Sequence, residues 1–216
     1  MEYHVKLDQH EALVREYEAY PVETGKVLLY GSSFFTRWKF ERAAKQCAEA
    51  TSGRLQVVNH GFGGATVEEL LYYYPRLVTP YKPSAVVLRL GPNDLFHGLA
   101  PELAWFMAER LINFLQTDYP GMPIILVNHF DNKKATPERY PLYVEYNAYM
   151  KAFAEKTENV TFLDLNTFFH ENPADAGSLN GLRDVFVADG LHLTDAGYEE
   201  MAAFFAPRVC NILYGE

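Results

Sequence analysis

The sequence predicts an α/β fold with a mostly parallel, five-stranded sheet. Three observations carry that reading. Five apolar runs of strand length recur along the chain. Longer stretches of helical period separate them. The 216 residues, 49% hydrophobic and 22% charged, have the length and balance of one globular domain over residues 1–216.

A helix is expected over Tyr3–Glu18, before the first strand. The strands are then Lys26–Tyr30 (KVLLY), Leu55–Asn59 (LQVVN), Ser84–Leu90 (SAVVLRL), Pro123–Asn128 (PIILVN) and Val160–Leu165 (VTFLDL). Apolar residues at consecutive positions fit strands covered on both faces, as in a parallel sheet. The helix predicted over Pro101–Asp118 starts on a proline, which suits the first helical position. Its period places Leu103, Met107, Leu111, Phe114 and Leu115 on one stripe. Arg139–Thr157 and Asp195–Leu213 show similar stripes. In the last, Thr194 can cap the start while Tyr198, Met201, Ala202, Phe205 and Val209 face inward. The alternation implies right-handed crossovers, and the expected strand order is 2-1-3-4-5. The longest irregular stretch, Phe169–Asp189, is of a length that often carries function.

The formal net charge is −9, and no cluster of Lys and Arg exceeds the pair Lys133–Lys134. That balance argues against nucleic acid and against an anionic membrane surface as partners. Cys47 and Cys210 both lie in amphipathic stretches and read as buried free thiols rather than a disulfide or a metal site. No Cys/His spacing matches a zinc site, so neither metal nor cofactor is expected. The first residues lack the basic start and apolar run of a signal peptide, and no window is long enough for a membrane span. The expectation is a cytoplasmic protein.

In open parallel sheets, ligands bind beyond the carboxyl ends of the strands. After the first strand stands Gly31-Ser32-Ser33, where a tight turn can project a hydroxyl; alone it reads more often as a capped turn than as a nucleophile. After the second comes Asn59-His60-Gly61-Phe62-Gly63-Gly64-Ala65-Thr66, whose glycines permit close backbone approach; it is also a flexible turn before a helix capped by Thr66. After the third comes Gly91-Pro92-Asn93-Asp94, either a turn or an Asn side chain aimed at a ligand with Asp94 holding the loop. Asp189-Gly190-Leu191-His192 allows the carboxylate to bind imidazole Nδ1–H, leaving Nε2 free to take a proton. Together these segments supply a hydroxyl, oxyanion donors, a base and its orienting acid, the set a serine nucleophile requires.

The four segments resemble, in order from Gly31 to His192, the blocks of the SGNH hydrolases, or GDSL-type esterases and lipases. The resemblance implies a flavodoxin-like three-layer α/β/α fold and metal-free hydrolysis of esters. It implies Ser33 as nucleophile, His192 as base and Asp189 as its partner. It also implies an oxyanion hole made from the N–H groups of Ser33 and Gly64 and the side chain of Asn93. The usual Gly-Asp-Ser reads Gly31-Ser32-Ser33 here, which is similar to a branch carrying a nearby Trp, as at Trp38. Between Ser32 and Ser33, the choice rests on that alignment. A small-molecule or carbohydrate ester with a short acyl group such as acetyl is the expected substrate. Two rivals remain: a non-catalytic module binding an acylated or carbohydrate ligand, and a flavin or nucleotide binder with phosphate on the Gly31–Ser33 turn. Phe34-Phe35 and Tyr72-Tyr73-Tyr74 are expected near the site edge. His129 and Asp131 are read as surface-loop residues that can reach the pocket.

Overall fold

The computed structural model describes residues 6–215. Helix α1 (Glu11–Glu18) precedes β1 (Val27–Gly31), then α2 (Ser33–Arg37), α3 (Phe40–Ala50), β2 (Val57–Gly61), α4 (Val67–Leu77) and β3 (Ala85–Arg89). The chain continues through α5 (Pro92–Phe96), α6 (Pro101–Asp118), β4 (Ile124–Val127), α7 (Tyr140–Ala154), β5 (Val160–Leu163) and α8 (Asp195–Tyr214). All strand pairs are parallel and the order is β2-β1-β3-β4-β5, as the sequence predicts.

Strand alternation sorts two apolar cores onto opposite faces of the sheet. Leu28, Tyr30, Val86, Leu88, Ile124 and Leu126 pack with α1, α4, α6 and α7. Val27, Leu29, Ala85, Val87, Ile125 and Val127 pack with α2, α3 and α8. The result is the three-layer α/β/α, flavodoxin-like architecture. Cys47 and Cys210 are buried free thiols in the second core, and burial pushes the Cys47 thiol up to about 12. Among the described residues no helix is long and apolar enough to cross a membrane.

Three local expectations shift. The described part of the first helix starts at Glu11 after a turn, and Tyr3 lies outside the described residues. Strand β2 sits two residues later than its apolar run, because Val57–Gly61 pairs with Val27–Gly31. Its polar residues are buried with partners: Asn59 Nδ2 donates to the Phe35 carbonyl at 2.9 Å, and His60 Nδ1 lies 2.8 Å from the Leu77 carbonyl. In α6, the buried arc is Ala104, Trp105, Ala108, Leu111, Ile112 and Leu115, while Leu103 and Phe114 are half exposed. Small side chains at 104 and 108 let the helix approach the sheet, and Trp105 meets Tyr146 and Phe153 of α7, so the arc is rotated from the Leu/Phe stripe.

The last helix follows its prediction closely. Thr194 accepts a hydrogen bond from the Gly197 N–H, and Tyr198, Met201, Ala202, Phe205 and Val209 are all buried.

Candidate active site

The carboxyl ends of β1, β2, β3 and β4, with the segment before α8, enclose a cavity of about 610 Å³. Ser33, Gly63, Gly64, Asn93 and His192 all line it. Residues from all of these turns therefore come to one place, with Asp189 standing behind His192.

Ser33 is the first residue of α2. Two glycines permit close approaches here, Gly31 to β3 and Gly61 to that helix. A Cβ on Gly31 would lie 2.5 Å from the Arg89 carbonyl oxygen, and one on Gly61 would lie 2.4 Å from Phe35 Cβ. Neither position tolerates a side chain, which explains the glycines that flank the turn. Ser32, buried in the extended N-cap position, and Ser33, half-buried, both reach the cavity.

The second strand's loop runs directly beside Ser33. A Cβ built on Gly63 would stand 3.7 Å from Ser33 Cβ, in ordinary contact. Gly64 has φ of +84°, a left-handed conformation, and nothing lies within 4 Å of where its Cβ would be. Thr66 and Glu69 form a reciprocal capping box at the start of α4, and His10 stands 3.6 Å from the same carboxylate. The loop is thus tied at its far end.

Asn93 belongs to α5. Its Nδ2 donates to the Ala65 carbonyl at 2.8 Å, joining the β3 and β2 loops. An amide nitrogen carries two hydrogens, so a second N–H is left over for a ligand. Asp94 is fully buried and accepts from the Val67 N–H at 3.2 Å, which holds the loop as the sequence suggested. Gly91, at φ +84°, brings the chain so close to Tyr146 that a Cβ would lie 2.2 Å from its ring carbon and hydroxyl.

The Asp189–His192 turn is made within four residues. Asp189 Oδ2 lies 2.5 Å from His192 Nδ1, while Oδ1 accepts from the Leu191 and His192 N–H groups at 2.9 Å each. Partial burial works to raise the Asp189 carboxyl, but the His192 backbone and side chain and the Leu191 N–H outweigh it and hold it at about 2. Gly190, at φ +70°, permits the turn, and its carbonyl accepts from the Lys134 N–H at 3.1 Å. His192 Nε2 is buried, and among the described residues it has no hydrogen-bond partner, Ser33 included.

Two groups of expected neighbours fall differently. Phe34 lines the cavity, but Phe35 packs on Gly61. Tyr73 and Tyr74 are buried beneath α4, Tyr72 is half exposed, and none of the three reaches the cavity. His129 and Asp131 are not surface residues. His129 is buried, stacked on Tyr143 at 3.9 Å, and reaches the cavity. Asp131 is buried outside it, accepting from the Tyr140 hydroxyl at 2.8 Å and the Gly177 N–H at 2.7 Å, and lying 2.9 Å from His170 Nε2. It straps down the long segment before the Asp189 turn.

The sequence reading passed over Arg89, which also lines the cavity. Its signal was available: a charged residue closes the otherwise apolar run SAVVLRL at a strand's carboxyl end.

Residues 29–200 match the model of the GDSL-like Lipase/Acylhydrolase family. The chain belongs to that family. With it, the protein is an SGNH-type ester hydrolase, in keeping with the order of its blocks. No curated protein sequence matches the chain. Several solved structures share its fold. One, provisionally described as a platelet activating factor from Streptococcus pneumonia, is 20% identical, covers 94% of this chain and 92% of its own, and has a TM-score of 0.73. A GDSL-like lipase from Bacteroides thetaiotaomicron is 17% identical, with coverage of 94% and 98% and a TM-score of 0.64. A variant of an acetyl-xylooligosaccharide esterase from Geobacillus Stearmophilus is 19% identical, with coverage of 91% and 98% and a TM-score of 0.66.

Proposed function

We propose that this GDSL-type hydrolase cleaves short-chain esters, acetyl esters of small molecules or carbohydrates among them, through an acyl-enzyme on Ser33. One observation carries the assignment of residues. His192 has one ring nitrogen fixed by Asp189 and the other buried without a partner, in the cavity that Ser33 enters. A base oriented on one side and unsatisfied on the other is poised for a substrate-side proton.

In this reading His192 Nε2 takes the Ser33 hydroxyl proton as the oxygen attacks the acyl carbon. The oxyanion accepts from the N–H groups of Ser33 and Gly64 and from the second N–H of Asn93. Asp189, a carboxylate throughout, stabilises the imidazolium. The tetrahedral intermediate collapses, His192 gives its proton to the leaving alcohol, and the acyl group stays on Ser33. Water then repeats the cycle and restores the enzyme. The acetyl preference is supported by the fold shared with an acetyl-xylooligosaccharide esterase and by a cavity of modest size.

The test is labelling with a fluorophosphonate probe, followed by mass-spectrometric mapping. The probe should attach to Ser33, and Ser33→Ala and His192→Ala should each abolish hydrolysis of p-nitrophenyl acetate. Loss of activity in Ser32→Ala with near-normal rate in Ser33→Ala would assign the nucleophile to the neighbour instead. An intact protein that takes up no probe and turns over no activated ester would be a binding module.

A further inference from the structure

The cavity is charged against the grain of the molecule. The whole chain carries a net −9, yet Arg37, Arg89, Lys134 and Arg139 line the cavity and no Asp or Glu does. None of these four cations makes an ion pair with a carboxylate among the described residues; the nearby Asp189 is engaged with His192. Lys134 and Arg139 instead lie over the ring of Phe96, at 5.5 and 5.1 Å, on the cavity wall.

Arg89 is the decisive member. It ends β3, is only 3% exposed, and stands over the Phe130 ring at 4.5 Å. Its Nε and Nη1 are buried and, among the described residues, have no hydrogen-bond partner. A buried guanidinium without a counter-charge is costly, and burial lowers its proton affinity, to about 9. Stacking on an aromatic ring offsets a small part of that cost. Position 89 pairs with Gly31 in the sheet, two residues before Ser33, and Arg89 and Ser33 line the same cavity, so the unmatched charge shares the cavity with the proposed nucleophile.

We propose that the ester taken by this site carries an anionic group, in its simplest form a carboxylate, which docks on Arg89. A carboxylate matches the planar guanidinium fork and supplies the acceptors its nitrogens lack. Lys134 and Arg139 at the rim draw the anion in, and low-dielectric walls strengthen that field. The proposal rests on the ester-hydrolase reading of the same cavity and narrows its substrate class.

The test uses matched ester pairs that differ in one charge. Mono-4-nitrophenyl adipate is compared with 4-nitrophenyl hexanoate, which places the anion on the acyl side. The 4-acetoxybenzoate ion is compared with 4-acetoxybenzamide, which places it on the alcohol side. In the wild-type enzyme at low salt, the charged member of at least one pair should have a kcat/KM tenfold or more above its neutral twin. Arg89→Met should bring that ratio to about one, mainly through KM, and the double variant Lys134→Ala/Arg139→Ala should lower it severalfold with the fold untouched. Adipate binding, followed by titration calorimetry, gives a readout independent of turnover: it should vanish in Arg89→Met and weaken in salt. Ratios near one for both pairs, with no adipate binding, would overturn the charge proposal and leave the hydrolase reading intact. Adipate binding to a protein that hydrolyses no ester would do the reverse.

Discussion

Single residues in the cavity have separable duties, and each can be removed alone. Asn93 spends one N–H on the Ala65 carbonyl, which leaves the other for the proposed oxyanion. Asn93→Ala should therefore lower kcat by roughly 10² to 10³ with little change in KM, the usual cost of one lost oxyanion donor. An equal rise in KM would place Asn93 in ground-state binding instead. Steady-state kinetics on p-nitrophenyl acetate separates the two outcomes. The Asp189 carboxylate makes a pH prediction with a definite sign. It is depressed to about 2, so it remains a carboxylate through the whole working range. The part of the activity that depends on its charge should be lost only as pH falls towards that value, which a rate–pH profile checks.

At the scale of elements, the turns that carry these residues depend on glycines pressed against neighbours. Gly91→Ala puts a methyl group 2.2 Å from the Tyr146 ring at a φ of +84°. It should cost more than about 2 kcal/mol, because positive-φ strain and overpacking add. Gly121→Ala shares the positive φ but meets nothing within 4 Å, and should cost only about 1 kcal/mol. Urea midpoints of the two variants check the difference; equal losses would mean that Tyr146 simply moves aside. The same scale shows what was legible in the sequence. The strands were legible because β1 to β4 are buried on both faces and the edge strand β5 is only partly exposed, which leaves nearly unbroken apolar runs. Three of the site's turns were legible because each follows a strand, and the fourth because Asp189 and His192 stand at a spacing that lets them pair. The face of α6 was not, since Leu103 and Phe114 fit a stripe that only the alanines' neighbours could rule out. His129 and Asp131 looked like loop residues because their partners, Tyr143, Tyr140 and His170, lie elements away. Arg89 was visible as the one charge in the run SAVVLRL, but its burial without a counter-charge was not.

Across the whole molecule, buried histidines set how the fold responds to acid. Burial lowers His60 to about 4 and holds His129 well below its ordinary value, with Arg89 adding to the effect at His129. Both stay neutral when folded but accept protons in the unfolded chain below about pH 6.5. The unfolded state thus binds more protons, and stability falls as pH falls through that window. Each histidine contributes a slope approaching about 1.4 kcal/mol per pH unit between roughly pH 6 and pH 5. The depressed carboxylates Glu11 and Asp189, both at about 2, exert their own loss only below about pH 4. Denaturant unfolding at pH 7 and pH 5 measures the drop, and His60→Gln should make it shallower. A flat profile across that interval would contradict the burial argument.

The hydroxyl of Tyr198 in α8 donates to the carbonyl of Phe34, the residue after Ser33, at 2.8 Å across a sequence separation of 164. The first turn of the site is thereby fastened by the last helix of the chain, whose approach also delivers His192. In the proposed mechanism Ser33 is synthesised well before His192, the base that activates it. A chain that stops short of His192 would then carry Ser33 as an ordinary alcohol, inert towards esters. Chemical reactivity at that serine would report that α8 has docked.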